Sequence, residues 1–250
     1  MKESPAGLYI VTGSSRGLGA ALAAQLLQHG HSVLGLARHT TDTLPAGPRC
    51  IQWALDLADP VAAAARLSDW LATLDSTHFT SANLLNNAGV LSRMGPIDDS
   101  SSDDLSNALR VGLEAPMLLT ASFLRATRAW AVPRRVLNVS SGLGRRAMAG
   151  SASYCAAKAG LDHFSRCTAL DEAQRPNGAR IVSLAPGVID TDMQASLRNS
   201  DPNGFPERDS FLRLKADGRL VSAHDTAACV LAFLHRPDFG EKTVADVRND

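Results

Sequence analysis

The strongest constraint on this chain is an alternation of two kinds of segment. Short apolar runs, Leu8 to Val11, Val33 to Leu36, Leu84 to Leu85, Val136 to Val139 and Ile181 to Leu184, are separated by alanine- and leucine-rich stretches with helical spacing. The clearest of these are Gly19 to Gln28, Val61 to Leu74, Leu105 to Trp130 and Ser153 to Glu172. Runs that short suit strands buried on both faces. Strand and helix taking turns in this way predict an α/β fold, a parallel sheet with helices on both faces, because right-handed crossovers leave few other arrangements. With 250 residues and no internal repeat, the chain reads as one domain over 1–250, long enough to bury a substantial core. Past Pro186 the alternation stops, and a polar stretch follows over 190–219, with a turn at Pro202 to Gly204 and a short helical segment around Glu207 to Lys215. So long an interruption between core elements is more often functional than idle, and it reads as a substrate lid. Ser222 with Asp225 forms a capping box for a last helix through Leu234, and Thr243 to Val247 adds a final strand.

Lysine plus arginine balance aspartate plus glutamate, 25 against 25, so no net field draws the chain toward nucleic acid or an acidic membrane surface. A small molecule is the expected partner. Cys50, Cys155, Cys167 and Cys229 lack the paired spacings of a zinc site or redox dithiol, and the histidines show no ligand-like spacing, so no metal is expected. Met1 to Leu8 lacks the apolar core of a secretory signal, and no uncharged apolar run is long enough to span a bilayer. The expectation is a cytoplasmic protein with reduced thiols.

Directly after the first apolar run comes Thr12-Gly13-Ser14-Ser15-Arg16-Gly17-Leu18-Gly19, leading into a helix. Glycines here permit a tight turn and close backbone approach, and the helix N-terminus offers free N–H groups to a pyrophosphate. The second strand then indicates which dinucleotide is held, because an acid at its end would bind a free ribose 2′-hydroxyl and repel a 2′-phosphate. The run Val33 to Arg38 has no acid and ends in Arg38. With Arg16 it supplies two guanidinium groups for a phosphate, so NADP(H) is the expected cofactor. Asp56, in Leu55-Asp56-Leu57 at the end of a third strand candidate, either accepts from the adenine amine or caps the helix before Pro60. Asn87-Ala88-Gly89, closing the fourth strand, lets the backbone pass close to the cofactor or forms a plain turn.

The strongest chemical signal is Tyr154 with Lys158, preceded by Ser141. Four residues apart on a helix, phenol and ammonium share one face. A tyrosine pKa of about 10 is too high for acid–base work near neutrality unless positive charge stabilises the phenolate, and Lys158 is placed to supply it. Hydride transfer to a carbonyl carbon, protonation of the alkoxide by Tyr154 and a hydrogen bond from Ser141 to the same oxygen make a reductase. Met148 lines the substrate pocket or simply packs in the core. The arginines at 134–135 and 145–146 read as solvated.

In order and spacing, Thr12 to Gly19, Asn86 to Gly89, Ser141, Tyr154 with Lys158, and Pro186-Gly187-Val188-Ile189-Asp190-Thr191 resemble the short-chain dehydrogenases/reductases over essentially the whole chain. The resemblance implies a single Rossmann-like, doubly wound domain with a seven-stranded parallel sheet. It also implies that Lys158 binds the nicotinamide ribose, that Pro186, Gly187, Val188 and Thr191 border the nicotinamide, and that the assembly is a homodimer or homotetramer. The chain departs from the family at Gly112, where an asparagine usually supports a water relay to the lysine. A glycine there still allows a local helix distortion and room for water. From Pro186 to Gln194, through Phe211 to Leu220 and at the end Thr243 to Val247, the chain is similar to sepiapterin reductases and bacterial benzil reductases. This implies a small diketone or pterin-like substrate, with Met193 beside it and Asp246 either holding a pterin ring or standing as an ordinary charge on the last strand. A 3-oxoacyl-thioester reductase would share the catalytic residues, but such enzymes end in a glycine-rich strand where this chain has Ala245-Asp246-Val247-Arg248. A non-catalytic NADP(H)-binding regulatory module is favoured only by Gly112.

Overall fold

In the computed structural model, which describes residues 6–249, seven strands form one parallel sheet in the order β3-β2-β1-β4-β5-β6-β7. They are β1 (Ala6–Thr12), β2 (Ser32–Ala37), β3 (Cys50–Ala54), β4 (Phe79–Asn86), β5 (Arg134–Val139), β6 (Arg180–Ala185) and β7 (Val244–Asp246). The order runs outward both ways from β1 and β4, so the chain reverses direction between them and opens a crevice above their carboxyl ends. Of the N-terminal stretch Met1 to Leu8, positions 1–5 lie outside the described residues, as does position 250.

Strand periodicity assigns each side chain a face. Tyr9 and Val11 of β1 pack with α1 (Gly17–Gln28) and α8 (Ala223–Leu234), whereas Leu8 and Ile10 pack with α2 (Pro60–Ala72) and α4 (Ala115–Ala126). On the second face α5 (Ala152–Ala173) also lies against the sheet, where Asn138 of β5 donates to Ser165 at 2.9 Å. Ser222 caps α8 as its spacing predicts, accepting from the Asp225 N–H at 3.0 Å. β4 is longer than its two-leucine run because Asn83 is paired rather than exposed, donating to the Leu8 carbonyl and Ser81 Oγ.

The stretch Leu105 to Trp130 is not one helix. α3 (Ser102–Leu109) widens into a π turn over Arg110–Glu114 before α4 begins. Gly112 is buried in that turn, and a Cβ on it would lie 3.0 Å from Ala157 Cβ, so the backbone of the turn packs directly against α5. The 190–219 stretch holds two helices, α6 (Asp192–Arg198), which no clear periodicity announces, and α7 (Arg208–Ala216). Its ends meet: Ile189 pairs in parallel with Val221, the Asp190 N–H donates to the Val221 carbonyl and the Val221 N–H to the Val188 carbonyl. Phe205, fully buried, anchors the stretch in a third apolar cluster with Met94, Met148 and Leu197, separate from the two sheet-face cores.

Candidate active site

The crevice has a cradle on one side. Gly13 and Gly17 adopt φ of +68° and +56°, and a Cβ on Gly19 would fall 2.1 Å from the Gly13 carbonyl oxygen, so the sequence must be glycine where the loop turns into α1. No described side chain caps α1, which leaves its first N–H groups to a ligand; Ser15 sits half-buried in the same loop and Leu18 anchors the helix in the core. Thr12, which motif reading passes over, ties the cradle together. Its hydroxyl accepts from the N–H groups of Asn87 and Ala88 at 2.9 Å each, while Asn87 Nδ2 donates to the Thr12 carbonyl at 2.9 Å. This geometry suits a dinucleotide pyrophosphate.

Around the adenosine end the residues are separate rather than convergent. Arg38 is exposed just past β2. Arg16 reaches the other way, donating to Asp192 at the start of α6 at 2.9 Å. Asp56 does not cap α2; it accepts from the Ala58 N–H at 2.9 Å within its own turn, and the cap is Asp59. Leu57 turns its side chain into the core.

At the crevice floor, Ser141 lies two residues beyond β5, and Tyr154 and Lys158 share one face of α5, with the Ser141 hydroxyl near enough to the phenol to favour its ionised form. Lys158 is buried; its Nζ donates to the Val139 carbonyl at 2.7 Å and lies 5.7 Å from the Tyr154 ring centroid. Burial pushes the Tyr154 phenol up to about 12, against the hydrogen bond from Ser141, and pulls Lys158 down to about 8, against the nearby Asp162 carboxylate. The depression of Tyr154 expected from Lys158 is not found: desolvation dominates, and only Ser141 opposes it. Tyr154 keeps part of its surface exposed. Gly89 faces this group across a gap: a Cβ on it would lie 3.8 Å from Lys158 Nζ and 4.0 Å from Met193 Cε. Thr191 approaches the cradle, its Cγ2 lying 3.6 Å from where a Gly17 Cβ would be.

The β6 connection, Pro186 with Gly187 at φ +87° and Val188, borders the crevice beside Arg248. Asp246 ends β7 almost buried, and Arg248 takes both its oxygens, Nε to Oδ1 at 2.8 Å and Nη2 to Oδ2 at 2.6 Å. Met148 packs in the third apolar cluster, with Leu143 and Cys155 beside it, as its core reading expected. The arginines split. Arg134 is buried against Glu172, Arg146 forms a bidentate pair with Glu207 near the start of α7, and Arg145 reaches inward to Asp162. Among the described residues no cluster of histidine, cysteine or acid could hold a metal, and no helix is long and apolar enough to cross a membrane.

Known proteins show the same pattern. Residues 8–202 match the family model described as short chain dehydrogenase. A benzil reductase, (S)-benzoin forming, from Bacillus cereus is 34% identical over 94% of this chain and 96% of its own. A 3-oxoacyl-acyl-carrier-protein reductase from Salmonella typhimurium is 31% identical over 90% of this chain and 88% of its own. An NADPH-dependent pterin aldehyde reductase from Arabidopsis thaliana is 30% identical, over 81% and 83%. With its sheet order, its glycine cradle and a match over most of its length, the chain belongs to the short-chain dehydrogenases/reductases, oxidoreductases that work with a nicotinamide dinucleotide.

Proposed function

We propose that this protein is an NADPH-dependent carbonyl reductase acting on one carbonyl of a small diketone, with 190–219 as its substrate lid. One arrangement carries this conclusion: Ser141, Tyr154 and Lys158 meet at the crevice floor between the glycine cradle and a methionine-rich apolar cluster. Gly13, Gly17, Gly19, Asn87, Ala88 and Gly89 are suited to hold the dinucleotide, Arg38 its 2′-phosphate, with Arg16 joining only after it leaves Asp192, and Pro186 to Thr191 its nicotinamide end. A reduced nicotinamide bound there supplies the hydride.

The chain's own residues supply the rest. Ser141 donates a hydrogen bond to the substrate oxygen and stabilises the negative charge that develops on it. Tyr154, held protonated by its buried setting, gives its proton to the alkoxide, a far stronger base than a phenolate. Lys158 then faces the new phenolate with its positive charge. Met193 and Phe211, backed by Met148 and the buried Phe205, offer soft apolar walls to the groups flanking the carbonyl. A diketone is favoured over a pterin because Arg248 already occupies both oxygens of Asp246. A pterin amino edge would have to displace it. We further infer a homo-oligomer, in which exposed Leu109, Met117 and Leu170 on α3 to α5 meet a second copy.

The test is NADPH oxidation with benzil, other 1,2-diketones, sepiapterin and a 3-oxoacyl thioester, repeated with NADH. Turnover of diketones is expected, and Tyr154→Phe should lower it by about 10³-fold while NADPH still binds by fluorescence. Turnover of the thioester alone would move the protein to acyl-chain reduction.

A further inference from the structure

The stripe that carries Tyr154 and Lys158 continues one turn further along α5, to Asp162. This carboxylate is 2% exposed. Its Oδ1 accepts from the Ser140 hydroxyl at 2.5 Å and from the Ser183 hydroxyl of β6 at 2.6 Å. Its Oδ2 has no hydrogen-bond partner among the described residues and meets only Arg145 Nε, at 3.6 Å. A Cβ on Gly144 would lie 2.9 Å from that oxygen, so the turn after Ser141 is closed down onto it. Arg145 in turn donates to the Ala245 carbonyl of β7 at 3.4 Å. A buried carboxylate with one oxygen so poorly matched destabilises the fold relative to an apolar or fully paired residue. Its contacts, however, converge on the catalytic residues: Ser140 immediately precedes Ser141, Gly144 and Arg145 end the turn that Ser141 begins, and Lys158 stands one helical turn away.

We propose that Asp162 is a positioning residue of the catalytic centre, fixing the Ser141 turn from below and keeping the Lys158 ammonium charged. Burial alone drives Lys158 downward, and Asp162 is the group that opposes it. The other charged and titratable groups around the pair are Tyr154 and Cys155 on α5, Arg145 on the turn, and Asp246 with Arg248 at β7, which pair with each other. Asp162 has this role only where Ser141, Tyr154 and Lys158 act as proposed above.

The chain has four lysines, Lys2, Lys158, Lys215 and Lys242, so the Lys158 ammonium can be titrated directly by NMR of lysine-labelled protein. Asp162→Asn keeps an oxygen for both serines and removes only the charge; it should lower the Lys158 titration midpoint by about one pH unit. Arg145→Gln removes the facing cation from a partly exposed position and should raise the midpoint. In turnover of benzil, Asp162→Asn should lower kcat about tenfold with KM little changed, and move the alkaline limb of the kcat profile to lower pH. Unmoved midpoints in both variants overturn the proposal, as does a rate loss that only follows a lower melting temperature. If Asp162→Asn does not fold, Arg145→Gln decides by the direction of its shift. Tyr154→Phe, run alongside, separates the two failures: retained turnover there defeats the catalytic assignment itself, whereas lost turnover with an unmoved Lys158 defeats Asp162 alone.

Discussion

Two of the proposed preferences, for the cofactor and for the substrate, turn on charge at single points, Arg38 and Arg248. Arg38 stands exposed where an acid would select a free ribose hydroxyl, so Arg38→Asp should weaken NADPH by about tenfold or more while changing NADH little. Equal losses in fluorescence titrations with the two cofactors would remove Arg38 from the phosphate site. Arg248→Ala should free the Asp246 carboxylate and raise kcat/KM for sepiapterin relative to benzil; an unchanged ratio would leave Asp246 without a part in selectivity. Tyr154 and Lys158 were readable because two reactive groups four apart on a helix make a pattern that sequence displays directly. Asp162, equally close to the chemistry, was not, since a single acid in a helix looks like a solvated face until the fold buries it. Arg16 was legible as a loop cation but not as the partner of Asp192, 176 residues away in sequence.

Among the elements, the π turn at Arg110–Glu114 lies close against α5 because Gly112 lacks a Cβ. Gly112 brings the turn against Ala157, next to Lys158, so added bulk acts on the catalytic helix. Gly112→Val should cost about 2 kcal/mol through overpacking, a fall in melting temperature on the order of 5 °C, measurable by calorimetry. An unchanged melt would show that α5 yields without strain. Helix and strand periodicity located the sheet-forming runs and α8 with its Ser222 cap, because each has a repeating apolar face or a local capping signal. The break between α3 and α4 was legible only as the local distortion that Gly112 allows; its form as a π turn is set by packing against α5. α6 was hidden, being only 7 residues long.

At the scale of the whole molecule, the sheet has two ends with different jobs. At the amino end of the strands, His31 and His235 gather around Tyr9: His235 Nε2 bonds the Tyr9 hydroxyl at 2.7 Å, and His31 Nδ1 accepts from the Gly7 N–H at 3.1 Å. Burial first, and then neighbouring positive charge from His29 on both and from Arg135 on His235, pulls both histidines below the usual value. The unfolded chain therefore binds protons before the folded one does, so stability is full above about pH 6.5 and falls as pH drops toward the folded values. Melting should be lower at pH 5.5 than at pH 7.5, and His31→Asn with His235→Gln should flatten that difference. A slope that persists in the double variant would assign it to carboxylates instead. At the carboxyl end, the neck formed by Ile189 and Val221 brings the two ends of the intervening stretch side by side. A segment that leaves and rejoins the body at one point is an exchangeable cassette: a counterpart from a relative, of different length and wall chemistry, can be spliced in at that neck with the strands left in register. If the stretch is the substrate lid proposed above, such a graft, carrying its own counterpart of the Phe205 anchor, should change substrate range while Ser141, Tyr154 and Lys158 stay in place.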